Sequence, residues 1–349
     1  MNPKVTVLMT VYNGERYLKE CIDSVMGQTF KDFEFLIIDD HSTDRSKDIV
    51  RSYKDDRVCF IENEKNLSQV KSLNIGLSYA RGAYVARMDQ DDIMINNRLE
   101  KQVHFLDNRP EVSVAGTWGE AMDEEGKVFT KARLVTRFEE IIGSILFSGF
   151  ILIHPSVIFR KDAVIKAGRF NESLSFSEDF ELWTRLLLKG HRIVNIPEYL
   201  IRYRCHRESS SKQFPEMQLN NARIAISNFI NVITDGECIS ELDSLSNFLI
   251  NSGLMKKEFW SDGINTNESR KIVHLLGFIL KKTIDYFNLG QTESYLMKRI
   301  FCNRMLNFAY QASKKAKKKS FPFYLFCLKN FGFLFTRPKL YLYPIKAIL

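Results

Sequence analysis

The chain has 349 residues, 45% of them hydrophobic and 26% charged, with 27 Phe, 13 Tyr and 3 Trp. That much apolar side chain excludes a disordered polypeptide and suits one large domain or two of ordinary size. The formal charge of +8 and a pI near 9.0 point, as averages, to an acidic partner such as nucleic acid or an anionic membrane surface. The charge is unevenly spread. No acidic residue follows Glu293, whereas twelve basic ones do, so the first 293 residues hold 38 basic against 42 acidic side chains.

Six cysteines (Cys21, Cys59, Cys205, Cys238, Cys302, Cys327) form no CxxC pair and have no histidine at metal spacing, which suits buried thiols in a reducing compartment. The N-terminal MNPKVTVLMTVYNGE runs straight into a strand pattern without a cationic leader, so a cytoplasmic location and no signal peptide are expected. The longest uncharged run, residues 141–159, contains His154, Pro155 and several Ser and Gly, and reads as a buried helix turning into a strand rather than a membrane span.

In chain order, Val5 to Val11 reads as a buried strand, and Leu18, Cys21, Ile22, Val25 and Met26 mark one helix face. Phe33 to Ile38 is a second strand, ending in the turn-and-cap sequence Asp39 to Asp44. A third strand, Arg57 to Ile61, precedes a helix near Ser68 to Ala80, and Ala83 to Met88 forms a fourth strand that stops at Asp89-Gln90-Asp91-Asp92. This alternation predicts an α/β fold with a mostly parallel central sheet flanked by helices. Further on, Val112 to Gly116 is a strand, Glu120 to Thr130 a hairpin, His154 to Arg160 a strand and Asp179 to Leu188 a helix. Ile193 to Ile196 and Tyr199 to Tyr203 read as two strands, followed by a polar turn from His206 to Lys212. Three regions are expected: a catalytic domain over 1–212, a helical region over 213–313, and a basic, aromatic-rich tail over 314–349.

In open α/β sheets ligands bind outside the carboxyl ends of the strands. Three polar segments fall there: Thr10 to Asn13, Asp39 with Asp40, and Asp89 to Asp92. Carboxylates crowded after an apolar strand repel one another, and a hard divalent cation, Mg²⁺ or Mn²⁺, would relieve this while also binding phosphate. A solvated turn is the alternative. Asp39 and Asp40 either cap the following helix or accept hydrogen bonds from a nucleotide base.

The segments VTVLMTVYNGERYLKECIDSVMGQTFKDFEFLIIDDHSTD, GAYVARMDQDD and SEDFELWTRLLLKG, in that order within residues 4–206, resemble the successive motifs of family 2 glycosyltransferases, which have a GT-A fold. The resemblance implies an inverting enzyme with a nucleotide-sugar donor, UDP-linked, and a glycan or polyprenyl-linked acceptor in bacterial surface-polysaccharide synthesis. It places Thr10, Tyr12 and Asp40 on the nucleoside with Asp39 close by. It makes Asp89 and Asp91 a DxD motif, with Asp91 the preferred metal ligand and Asp92 replacing or supporting it. Asp179 matches the catalytic base, and Glu178 would orient it or the acceptor. His206 would reach the metal or diphosphate, His154 would line the acceptor side, and Lys71 would touch phosphate; for all three an ordinary structural or surface role stays open. Two departures stand out: Ser68 replaces a glycine frequent in the family, and the helix after Asp179 lacks the QxxRW signature of processive synthases.

The tail joins Lys314-Lys315-Ala316-Lys317-Lys318-Lys319 to a run of aromatics broken by Pro322 and Pro338, which fits contact with an anionic membrane surface or packing onto the body. Two competing functions are a nucleic-acid-binding protein using this tail and a nucleotidyltransferase on a related sheet. The acidic body argues against the first, and the absence of a basic glycine-rich loop after the first strand argues against the second.

Overall fold

The computed structural model describes residues 2–145, 151–238 and 266–299. The expected basic tail lies outside them. The first hundred residues follow the expected alternation: β1 (Val5–Val11), α1 (Leu18–Met26), β2 (Phe33–Asp39), α2 (Ser46–Ser52), β3 (Val58–Glu62), α3 (Gln69–Tyr79) and β4 (Tyr84–Met88). Strands β1, β2 and β4 are buried along their whole length, as continuous apolar runs covered on both faces must be. Helix α1 packs Leu18, Cys21, Ile22 and Val25 inward. Helix α3 lies so close that a Cβ on Gly76 would sit 2.2 Å from Leu8 Cδ1.

There follow β5 (Ile93–Met94), α4 (Arg98–Asp107), β6 (Val112–Met122), β7 (Val128–Ala132), α5 (Phe138–Ile145), β8 (Ile158–Arg160), α6 (Lys161–Ala167), α7 (Glu178–Leu188), β9 (Arg192–Arg204), α8 (Ser210–Gln213), α9 (Pro215–Ile233) and α10 (Thr266–Tyr286). The sheet order is β3-β2-β1-β4-β8-β6-β9-β5, with β7 paired to β6. The parallel character belongs to its first half, β3-β2-β1-β4. Beyond β4 the sheet is mixed: β8 runs antiparallel to both β4 and β6, while β6 and β9 are parallel.

Local boundaries differ from the sequence reading in four places. His154–Ser156 is a 3₁₀ turn and the strand starts only at Ile158, because Pro155 cannot donate to a ladder. The two strands expected at 193–196 and 199–203 are one strand, β9, interrupted by a register shift at exposed Pro197. Strand β6 continues to Met122 and turns into β7 through Gly126, whose φ of +83° suits glycine. The polar segment after His206 winds into the short helix α8.

The seam between the two halves of the sheet holds a buried guanidinium. Arg98 donates to Arg87 O (3.0 Å), Pro155 O (2.7 Å) and Val157 O (3.1 Å), and to the Gln102 amide oxygen (2.9 Å). Two compact units result, Met1–Phe138 with Phe150–Ala222, and Glu139–Gly149 with Arg223–Leu349. The first runs past the change of pattern expected near 212. In the second, Phe229 stacks against Phe287 at 6.2 Å over a core that includes Ile230, Leu276 and Ile279.

Candidate active site

The loops after β1 and β2 are fastened to each other by short polar side chains. Asn13, Gly14 and Glu15 donate their backbone N–H groups to Ser42 Oγ (3.0 Å), Ser46 Oγ (2.8 Å) and Asp44 Oδ2 (2.9 Å), and Asn13 Oδ1 accepts from the Thr43 N–H at 2.8 Å. Across the loop after β1, the Gln90 amide grips the Tyr12 backbone, accepting its N–H at 2.9 Å and donating to its carbonyl at 3.1 Å. A Cβ on Gly14 would lie 2.6 Å from Gln90 Oε1, so the grip requires glycine there. Thr10 is buried, whereas the Tyr12 side chain is 49% exposed beside the strand edge.

Asp39 and Asp40 are both buried but differently occupied. Asp39 Oδ2 accepts the Ser42 N–H at 2.9 Å, and its Oδ1 has no partner among the described residues. Asp40 Oδ1 accepts from Asn63 Nδ2 and the Leu67 N–H, both at 2.8 Å, and Oδ2 accepts the Ser68 N–H at 2.9 Å. Three bonds fill most of a carboxylate's four acceptor positions, leaving one. Ser68 itself adopts φ +90°, ψ +152°, a region natural only to glycine. Lys71 is exposed in the first turn of α3.

After β4 the acidic residues separate into distinct roles. Asp89 is partly exposed and pairs at 2.5 Å with Arg87, a guanidinium buried in the strand. Asp91 is also partly exposed, and its Oδ2 lies 2.8 Å from His206 Nε2. Asp92, expected to replace or support Asp91 at a metal, is turned inward: it is buried and its Oδ1 accepts the Arg204 N–H at 2.8 Å. Burial, reinforced by the charges of Asp91 and Asp89, pushes its carboxyl well above the usual carboxylate range. Among the described residues no group of three or more His, Cys, Asp or Glu side chains is arranged to hold a metal ion. The pair Asp91 and His206 still suits a divalent cation, because an ion that retains water and binds substrate phosphates takes only one or two protein ligands.

Helix α7 supplies two further carboxylates. Glu178 and Asp179 are its first two residues, where the helix dipole favours negative charge. Asp179 Oδ1 accepts the Phe180 N–H at 2.7 Å. Glu178 is buried, and its Oε2 is unpartnered among the described residues. Burial pushes its carboxyl up to about 8, with Asp179 and Asp89 adding to the effect and Arg87 opposing it. His154 Nε2 is shielded and unpartnered, and the ring lies 6.1 Å from Phe170 and 6.3 Å from Trp183. Burial lowers the imidazole's proton affinity, against the pull of Asp179 and Asp89. The charges of Asp179, Asp89 and Arg87 all act on both Glu178 and His154.

The structure thus brings Asp91 together with His206, while Asp89 pairs with Arg87 and Asp92 with the Arg204 backbone; the charges of Asp89 and Asp179 both act on buried Glu178 and His154. It leaves Lys71 in solvent. Sequence reasoning missed Arg87, Gln90 and Arg204 as working parts. Each had a signal: Arg87 interrupts an apolar strand, and Gln90 and Arg204 sit inside motifs whose better-known residues drew attention.

A cavity of about 550 Å³ between α3 and α7, lined by Asn74, Phe170, Glu172, Glu181 and Arg185 among others, adjoins the His154 side of these groups through Phe170. Asn74, Glu172, Glu181 and Arg185 on its wall are paired with one another or with backbone.

Residues 6–168 match Glycosyl transferase family 2. An uncharacterized glycosyltransferase of Methanocaldococcus jannaschii is 35% identical over 207 residues, covering 58% of this chain and 71% of the relative. The amylovoran biosynthesis glycosyltransferase AmsE of Erwinia amylovora is 31% identical over 231 residues, covering 63% and 86%. In fold, the chain is similar to residues 1–349 of TarS from S. aureus in complex with UDP-GlcNAc, with a TM-score of 0.57 and 19% identity over 93% of this chain and 92% of that one. With the mixed sheet, its acidic strand edge and these matches together, the chain belongs to glycosyltransferase family 2.

Proposed function

We propose that the enzyme transfers a sugar from a nucleoside diphosphate donor, uridine-linked, to a hydroxyl of a glycan or polyprenyl-linked acceptor, inverting the anomeric centre, as a single-addition step in exopolysaccharide-type synthesis. The observation that carries this reading is the Asp91–His206 pair, 2.8 Å apart just past the end of β4, in a chain whose α7 opens with the carboxylates Glu178 and Asp179. The name of AmsE supports the exopolysaccharide setting, and TarS with UDP-GlcNAc supports the donor class.

On this reading Asp39, Asp40 and Thr10 face the nucleoside, with the unpartnered Asp39 Oδ1 and the last acceptor position of Asp40 available to the base. Asp89 meets the ribose, and Asp91 with His206 would hold a Mg²⁺ or Mn²⁺ ion. Such an ion supplies Lewis-acid neutralisation of charge on the departing diphosphate. Glu178 keeps its proton, which leaves Asp179 as the carboxylate that takes the proton of the attacking hydroxyl. His154, Phe170 and Trp183 form the apolar shoulder of the acceptor side. Direct displacement needs no covalent intermediate, so one proton-accepting carboxylate suffices. The tail over 314–349 is proposed to touch an anionic membrane surface, with the catalytic unit in the cytoplasm.

Asp179→Asn is expected to lower turnover at least a thousandfold while leaving UDP affinity within a few fold. Asp91→Ala is expected to abolish the metal dependence of UDP binding in calorimetry. Wild-type turnover in the first variant, or unchanged metal dependence in the second, would overturn the corresponding role. A panel of nucleotide sugars, assayed for donor hydrolysis with and without chelator, identifies the donor.

A further inference from the structure

Arg204 is the most highly bonded side chain at the strand edge, and the proposed reaction gives it no task. It is the last residue of β9, with a side chain only 2% exposed. Its backbone N–H donates to Asp92 Oδ1 (2.8 Å) and its Nε to the Asp91 carbonyl (2.9 Å). Its Nη1 donates to the carbonyls of Asp123 (3.2 Å) and Glu124 (3.0 Å), and its Nη2 to Glu20 Oε2 (2.7 Å). Four of the five guanidinium N–H donors would account for these side-chain bonds. The guanidinium carbon lies 4.4 Å from the centre of the Tyr17 ring, and the His206 ring lies 5.4 Å from that same ring. Between them, the Cys205 N–H donates to the Met122 carbonyl at 2.9 Å, which pins the intervening peptide.

We propose that Arg204 is the positioning residue that sets the Asp91–His206 pair, by holding the Asp91 backbone and the base of the His206 segment to one rigid fork. The two partners come from segments 115 residues apart, yet both are fixed to Arg204. Asp91 is fixed through its carbonyl. His206 is fixed through two peptide units and the shared Tyr17 wall. The same fork ties in the β6–β7 turn and helix α1, so the pair's geometry is referred to three elements at once. A lysine offers a compact charge with no planar fork and cannot reach these carbonyls together. This inference rests on the reading of Asp91 and His206 as the diphosphate-side pair, but Arg204's hold on them can be tested without any ligand.

The test uses the full chain as wild type, Arg204→Lys, Glu20→Gln and Tyr17→Leu. In metal-free protein, long-range ¹H–¹⁵N spectra of the imidazoles report the bonding of His206, assigned with His206→Ala. Mn²⁺ alone and Mn²⁺ with UDP are titrated by electron paramagnetic resonance, and thermal unfolding monitors the fold. The expected result for Arg204→Lys is a cooperatively folded protein with displaced His206 signals and at least tenfold weaker Mn²⁺–UDP binding. Adding His206→Ala should then weaken binding little further, since coupled residues are not additive. Glu20→Gln leaves the three carbonyl bonds in place and should cost threefold or less. Unchanged His206 signals in Arg204→Lys, or a loss that adds in full to that of His206→Ala, overturns the proposal. Should Arg204→Lys not fold, Tyr17→Leu must displace the His206 signals, and failure to do so overturns it equally. Wild-type protein that binds no Mn²⁺ with UDP would instead remove the underlying reading of the pair, while the metal-free spectra still decide Arg204's role.

Discussion

Glu178 shows how a single buried carboxyl ties stability to pH. Its oxygen Oε2 meets no described donor, Asp179 adjoins it in the chain, and its proton is held up to about 8 against an ordinary 4.5. A raised carboxyl means that the folded chain binds this proton more tightly than the unfolded chain. The resulting stability is fully present below about pH 4.5 and is lost as the pH rises through 8, with a limiting slope of about 1.4 kcal/mol per pH unit inside that window. Glu178→Gln keeps the size and neutrality of the protonated form and should remove this component. Thermal unfolding from pH 5 to 8.5 is therefore expected to show wild type losing ground steadily to Glu178→Gln. Curves that stay parallel would mean that Glu178 ionises alike in both states. Because the amide also donates a hydrogen bond, the same variant should retain far more activity than Asp179→Asn.

Among the secondary-structure elements, α3 begins under strain. Ser68, just ahead of its first turn, holds a backbone conformation that costs a side chain of order 1–3 kcal/mol, and it is kept there by the bond from its N–H to Asp40. Ser68→Gly should relieve that strain, less the roughly 0.5–1 kcal/mol of extra chain entropy that glycine carries. A net gain of about 1 kcal/mol in urea unfolding is expected, and destabilisation would show that the Ser68 side chain itself supports the loop. The departure from the family pattern was legible in the sequence, but the conformation that makes it costly was not. The same division runs through the fold. Strand ends at Val11 and Met88, and that of β2 to within one residue, could be read because fully buried parallel strands are continuous apolar runs that stop abruptly at polar residues. The unity of β9 could not, since Pro197 looks like a break until a partner strand shows that the ladder resumes beyond it. Arg87 and Arg204 could be noticed but not explained: a buried arginine is accounted for by carbonyls from distant segments, and sequence spacing does not reveal which ones converge. The carboxylates carried the clearest signal, yet only the packing of Asp92 against the Arg204 backbone separates it from its neighbour Asp91.

For the molecule as a whole, the net charge of +8 conceals a mildly acidic body and twelve basic residues beyond Glu293. If the tail serves the proposed membrane contact, removal of residues 314–349 should abolish flotation with vesicles containing anionic phosphatidylglycerol while donor hydrolysis in solution is retained. Flotation that persists would assign membrane contact elsewhere, and gel-shift binding to RNA lost on truncation would favour the nucleic-acid alternative. No described helix is long and apolar enough to cross a membrane. The order of the sheet has a consequence for the chain as it is made. β4 is paired to β1 on one side, but its other neighbour, β8, begins at Ile158, 70 residues after Met88. At ribosomal rates of about 5–20 residues per second, that edge would stand open for roughly 4–14 s in the nascent polypeptide. During that interval Arg98 would lack the Pro155 and Val157 carbonyls it finally binds. The growing chain therefore passes through a stage with an apolar strand edge unpaired and a cation waiting beside it. A charge that completes the seam in the finished enzyme would discourage premature pairing of that edge with another chain.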